Sequence, residues 1–325
     1  MPEHVLSLSY GKDSLACLGA IKHLGLPLDR IVHAEVWATD TISADLPPMV
    51  EFKKHADKII KQRYGIEVEH ICALKAHGRV EASKHTNQCS ITSCRVENSQ
   101  AQSKDFRKQS TLGARNSNTR TAALTYEDMF YRVSTGKKHN GEIYGFPTMA
   151  SPWCTNMLKT DTLDRFVRSQ TVQVERERER ETAPPQVVQY LGIAADEPLR
   201  IAKHVNRPGI SLPLVEIGWE EDYCGLWCQY NDLLSPIYTD SARGGCWFCH
   251  NQGVGQLRLL RQKYPELWAL LLKWDKDSPV SFKPDGHTVH DFDRRFQFED
   301  EGFILPDDPK FRWAWLDSDI QMKLF

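Results

Sequence analysis

The residues from Val5 to Ser14 (VLSLSYGKDS) carry an apolar run into a turn of small, polar and charged side chains, and a helical pattern at Leu15, Leu18, Ile21 and Leu24 follows at once. Strand, turn and helix in that order set the turn at a helix N-terminus, whose unbonded N–H groups favour an anion. Gly11 allows the backbone to approach a ligand closely, Ser9 and Ser14 offer hydroxyls, and Lys12 supplies a mobile cation. These are the parts of a phosphate cradle. It is not a Walker A loop, because G-x-x-x-x-G-K-[ST] cannot be fitted to these residues.

Cysteines form the second group with chemistry in it. Cys224 and Cys228 fall four apart in a helical stretch from about Glu220 to Leu233, so their thiols share a face. Cys246 and Cys249 form a C-x2-C knuckle after Gly244 and Gly245. The combined C-x3-C…C-x2-C pattern can surround a tetrahedral Zn²⁺ or an iron–sulfur cluster such as [4Fe–4S]; buried structural cysteines are the alternative. Cys89 and Cys94, spaced C-x4-C with no further pair nearby, read as free thiols. At Ser151-Pro152-Trp153-Cys154, a Ser N-cap and a Pro at the first helical position put Cys154 in the first turn of a helix. A thiolate there is stabilised by the helix N-terminus.

The elements that must position these residues are legible as β-α-β-α-β. The loop helix is followed by a β-rich stretch at Arg30–Trp37, a helix marked by Val50, Phe52, Ala56, Ile59 and Ile60, and a third strand at Ile66–Ile71. Short connections between such units predict an α/β fold with a doubly wound, mostly parallel sheet, ligands lying at the strand carboxyl ends. Asp40, just past the second strand, shares that edge with the loop and is a candidate ligand contact there, or caps the next helix. Val187–Ile193 reads as a buried strand, and Gly192, Asp196, Glu197 and Arg200 at its end are further candidates.

At 325 residues with 41% hydrophobic content the chain can build one large or two ordinary domains. The division predicted is 1–200 for the nucleotide-binding part and 201–325 for a Cys-rich helical part. An insertion at 76–123 is dominated by Ser, Thr, Asn, Gln and Arg, and a charged linker runs over 171–186. Net charge is only −2, but twelve Lys/Arg face five Asp/Glu between Lys75 and Asn140, a hint of a polyanionic partner. No apolar stretch is long enough to span a bilayer and the first residues lack a secretory pattern. This predicts a cytoplasmic protein with no membrane partner, whose nine cysteines serve metal or redox chemistry rather than disulfides. Amphipathic helices at Val254–Lys263 and Pro265–Trp274 read as core.

Ser9-Tyr10-Gly11-Lys12-Asp13-Ser14 resembles the PP-loop, S-[GY]-G-x-D-S, of the ATP pyrophosphatase superfamily, and Trp153-Cys154-Thr155-Asn156-Met157-Leu158-Lys159 resembles the W-C-T-x-x-L-K helix of its phosphoadenosine phosphosulfate (PAPS) reductase-like branch. Gly192–Glu197 is similar to the G-x-R-x-x-E-S strand end of that branch, with Ala194 in place of the Arg. The resemblance implies that Ser9–Ser14 grip ATP with Mg²⁺, that Lys12 and Asp13 serve cleavage between the α- and β-phosphates, that Asp40 contacts the ribose or Mg²⁺, and that Lys159 faces phosphate or sulfate. It implies a sulfur-related activity: adenylation of an acceptor for sulfur transfer, with a nucleic acid at the basic 75–140 segment as one acceptor, or sulfonucleotide reduction, or nucleotide binding by an accessory subunit. A sulfur-donor protein and a second copy of the chain are the protein partners expected. The chain departs from true reductases in having no C-terminal E-C-G-L-H thiol.

Overall fold

A computed structural model describes residues 2–75, 122–135, 140–166, 187–240 and 244–316. The linker at 171–186, Cys89, Cys94 and all but the last two residues of the expected insertion at 76–123 lie outside the described residues.

Five strands form one all-parallel sheet: β1 (Glu3–Ser7), β2 (Arg30–Glu35), β3 (Val68–Cys72), β4 (Val187–Leu191) and β5 (Ile210–Ser211), in the order β3-β2-β1-β4-β5. The order follows from the local pattern. Two crossovers, through α1 (Lys12–His23) and α2 (Pro47–Tyr64), walk the chain outward from β1 to β3 before it returns to the other side of β1. Alternation along the strands then divides the faces. Leu6 and Ile31 pack under α1 and α2, while Val5, Val32 and Ile71 pack against Phe166 and Leu163 of the helical stretch 161–166. Helices on both faces are what a doubly wound sheet requires.

Residues beyond 200 share both large cores with earlier parts of the chain. Helix α7 (Glu221–Tyr230; after α3, Tyr126–Phe130, α4, Trp153–Thr155, α5, Pro198–His204, and α6, Pro213–Ile217) lies on α1 inside the sheet-side core. Gly19 of α1 is what permits this: a Cβ there would sit 2.5 Å from Cε2 of Trp227. A second core joins the segment 126–158 to α9 (Val254–Lys263), α10 (Pro265–Asp277) and α11 (Val289–Asp300), which follow the short α8 (Ile237–Asp240). Trp274 stands at its centre, stacked on Trp247 at 5.6 Å and packed against Tyr126 at 5.1 Å. The helix pair read from the sequence is therefore core.

Lys75 and Leu124 bond across to Ala122 and Ala73, so the chain leaves for its insertion and comes back at adjacent points beside β3. Among the described residues, no helix is long and apolar enough to cross a membrane.

Candidate functional site

A cavity of about 730 Å³ opens at the carboxyl ends of β1, β2 and β4, where the strand order reverses between β1 and β4. Ser9, Gly11, Lys12, Asp13 and Ser14 line it together with Lys159, Gly192, Glu197, Arg200 and Cys246, so ten residues marked from the sequence meet there. The loop is braced by its own side chains. Ser14 Oγ donates to the Gly11 carbonyl at 3.0 Å and accepts from the Ser9 N–H at 3.2 Å; the Gly11 N–H reaches Ser9 Oγ at 3.4 Å. Gly11 caps α1 without a side-chain bond, which leaves the helix N-terminus facing the cavity. Gly192 has to be glycine, because a Cβ would lie 2.5 Å from Ser14 Cα.

Charge is balanced tightly at the loop. Lys12 Nζ contacts Asp13 at 2.8 Å and Glu221 at 3.3 Å. Burial works against the Lys12 charge, but these two carboxylates outweigh it and raise its pKa. Burial raises the Asp13 pKa, Lys12 opposes this, and Glu221 and Glu197 add to the rise. Asp13 and Glu221 meet the ammonium directly, while Glu197 is taken up by Arg200 at 2.6 Å.

Four sequence expectations are corrected. Tyr10 does not line the cavity. It is fully buried at φ +57°, and its hydroxyl binds Asp57 of α2 and, at 3.0 Å, His70 of β3. A side chain in the left-handed region is strained unless its surroundings hold it, and here the network beneath the loop does so. Asp40 is largely exposed and pairs with Lys75 at 3.0 Å, because a short antiparallel turn (Trp37 opposite Ser43) folds the chain back and brings Asp45 to the cavity instead. Asp196 accepts the Glu221 N–H at 3.1 Å and so caps α7.

The fourth correction concerns the thiols. Cys224 and Cys228 do share a face, but that face is pressed on α1: both are 0% exposed, and the Cys228 thiol donates to the Lys12 carbonyl at 3.1 Å. Cys246 packs against the aromatic core instead, and no three cysteine sulfurs among the described residues lie within 4.8 Å of one another, so the four form no tetrahedral ligand set. Burial pushes the Cys224 and Cys228 thiols up to about 12. Cys154 joins the other pair: Cys154, Cys246 and Cys249 all act electrostatically on Lys159 and on the Tyr126 hydroxyl. Lys159 and Cys246 line the cavity. Helix α4 has Pro152 as its N-cap and passes at once into a π-turn, Asn156–Thr160. Burial, the largest influence, raises the Cys154 pKa against the opposing charge of Lys159, so the thiolate expected from a helix N-terminus is not favoured there.

Sequence reasoning missed His33, Asp45, Glu221 and Tyr238, all of which line the cavity. Tyr238 OH accepts the Lys12 N–H at 3.2 Å from 226 residues away, a separation no local pattern signals. His33, Glu35 and His70 are the one group, among the described residues, whose ligand atoms lie within 4.8 Å of one another. A cation already serves it: Lys53 Nζ is 2.7 Å from His33 Nε2 and 3.9 Å from Glu35. Burial, with Lys53 beside it, holds His33 well below the usual histidine range. Compared with protein-family models, curated proteins and solved structures, the chain matches none.

Proposed function

We propose that the chain is a PP-loop nucleotide enzyme that binds ATP with Mg²⁺ at Ser9–Ser14 and adenylates an acceptor oxygen for subsequent sulfur transfer. One observation carries the reading: a single cavity is lined by the loop together with Lys159 and Cys246. The acceptor oxygen bonds to the α-phosphorus while the bond from that phosphorus to the α–β bridging oxygen breaks, and pyrophosphate leaves with the electron pair. Lys12 and the N–H groups of the α1 N-terminus stabilise the charge that builds on the pyrophosphate. Asp13 and Glu221 would give Mg²⁺ oxygen ligands, and the ion when bound would neutralise charge on the phosphates.

The thiols fit an iron–sulfur group better than zinc. Around one Zn²⁺ the sulfurs would stand about 3.8 Å apart, and no trio of cysteine sulfurs among the described residues is within 4.8 Å. The Tyr126 hydroxyl is buried with no hydrogen-bond partner and lies within electrostatic reach of Cys154, Cys246 and Cys249. An unpaired O–H donor suits sulfur acceptors of a bound cluster. These three cysteines would hold the cluster, Lys159 would balance its negative charge, and the group when bound would supply sulfur or electrons to the cleft.

The test is pyrophosphate release from ATP by protein prepared without oxygen. Lys12→Ala should lower it about 10²–10³-fold with the fold retained by circular dichroism. Undiminished turnover in that variant would overturn the reading, and sulfite release from PAPS without pyrophosphate would favour a sulfonucleotide reductase.

A further inference from the structure

Tyr238 reaches the loop from a part of the chain that no motif marks. Its hydroxyl accepts the N–H of Lys12, the first residue of α1, at 3.2 Å, and the side chain lines the cavity. The ring is fixed from behind. Short helix α8 starts on Ser235, which is 2% exposed; its carbonyl accepts the Tyr238 N–H at 3.1 Å and its hydroxyl contacts Met49 Sδ of α2 at 3.3 Å. Glycines flank the hydroxyl: a Cβ on Gly11 or on Gly244 would come to 3.7 Å from it, and both glycines line the cavity. The proton of the phenol is left over. The oxygen is taken up by the Lys12 N–H, and no group among the described residues accepts the O–H. Burial, the largest influence, raises the Tyr238 pKa against the opposing pull of the Lys12 N–H, so the phenol keeps that proton. A donor set in a cavity wall without an acceptor asks for one from a ligand.

We propose that Tyr238 is a catalytic residue that completes the loop: it carries the polarity of the first α1 N–H outward and donates its own O–H to an oxygen of the pyrophosphate part of the nucleotide. The hydrogen bonds run in one direction, from N–H to O–H to the phosphate oxygen, and each bond in such a chain polarises the next. An anionic oxygen that only accepts is what the end of that chain fits. The phosphate then stands one hydrogen bond, about 2.7 Å, beyond the seat that the backbone N–H alone would give it. No proton is transferred: the phenol acts as a donor throughout, and its bond strengthens as charge gathers on the departing pyrophosphate. The proposal rests on the ATP reading for the identity of the nucleotide, whereas the donor itself calls only for phosphate oxygens.

Calorimetric titration of the full chain in Mg²⁺ decides it, with inorganic pyrophosphate, a non-hydrolysable ATP analogue and AMP in separate runs. Tyr238→Phe keeps the ring and removes the O–H. It should weaken pyrophosphate and the analogue about 10–100-fold, as loss of one hydrogen bond to a charged group does, and leave AMP, which lacks those phosphates, unchanged. Labelling with 3-fluorotyrosine gives a direct readout: the fluorine resonance missing from Tyr238→Phe should shift when pyrophosphate is added to the wild-type chain. Unchanged pyrophosphate affinity in the variant would overturn the proposal. Tighter binding would overturn it too, by making the hydroxyl a stopper that a phosphate must displace, and so would equal weakening of AMP, by making Tyr238 a support for the loop alone. Absence of pyrophosphate binding to the wild-type chain would overturn it outright. Pyrophosphate held through Tyr238 by a chain that does not bind the analogue would count against the ATP reading and leave the donor role standing.

Discussion

Cys17, Cys224 and Cys228 have 0% exposure between α1 and α7, where burial outweighs the charge of Lys12 on Cys224 and Cys228 and a backbone carbonyl is the Cys228 partner. Cys154, Cys246 and Cys249 are half-buried at the edge of the aromatic core, with Lys159 among them and the nucleotide-sized cavity alongside. The residue type is the same and the chain spacings are similar, so the difference lies in the surroundings. A thiol sealed in an apolar layer keeps its proton and packs as a small hydrophobe. A thiol beside an ammonium and an open cavity is available to a metal or a substrate.

The comparison can be broken most decisively by metal content. Cys154→Ser, Cys246→Ser and Cys249→Ser should each abolish bound iron and sulfide in anaerobically purified protein, whereas Cys224→Ala and Cys228→Ala should keep both. Equal loss from the two sets would erase the distinction drawn here. Next in size is the packing that seals the first set. Gly19→Val drives a side chain into Trp227 and should cost about 2–3 kcal/mol in urea unfolding, without changing iron content in the folded fraction.

pH separates the two regions in another way. Burial opposes protonation of His70, but hydrogen bonds to Asp57 and Glu35 outweigh it and raise its pKa to about 9. A folded-state pKa above the ordinary histidine value of about 6.5 gives stability that is fully present below that value and is lost as pH rises through about 9. Roughly 2–3 kcal/mol should disappear over that window, read as a falling urea midpoint, and His70→Gln should flatten the dependence. The smallest effect expected is that of Cys228→Ala, about 1 kcal/mol for a lost thiol contact and hydrogen bond. A cost several times larger would mean that Cys228 does more than fill space.

Much of this was legible in the sequence, and what was not has a physical reason. The Ser9–Ser14 turn, the β-α-β-α-β order and the helix at Glu221–Tyr230 are set by residues close together in the chain, where periodicity and turn chemistry speak directly. Residue spacing also put Cys224 and Cys228 on one face. It could not say which neighbour that face meets, because the neighbour is α1, some two hundred residues earlier. Asp40 and Asp45 illustrate the same limit at short range. A reversal between Trp37 and Ser43 decides which carboxylate reaches the cavity, and no strong turn signal marks it. Tyr10 fits the loop pattern, yet its role is set by Asp57 and His70 beneath it.

That anchorage has a thermodynamic consequence. A loop whose central residue is fastened from below by α2 and β3 reaches its ligand already in shape, so little chain entropy remains to be lost when a nucleotide arrives. Under the ATP proposal, recognition at Ser9–Ser14 would therefore be that of a rigid receptor, its affinity set by the contacts made with the phosphates and little of it given up to order the loop.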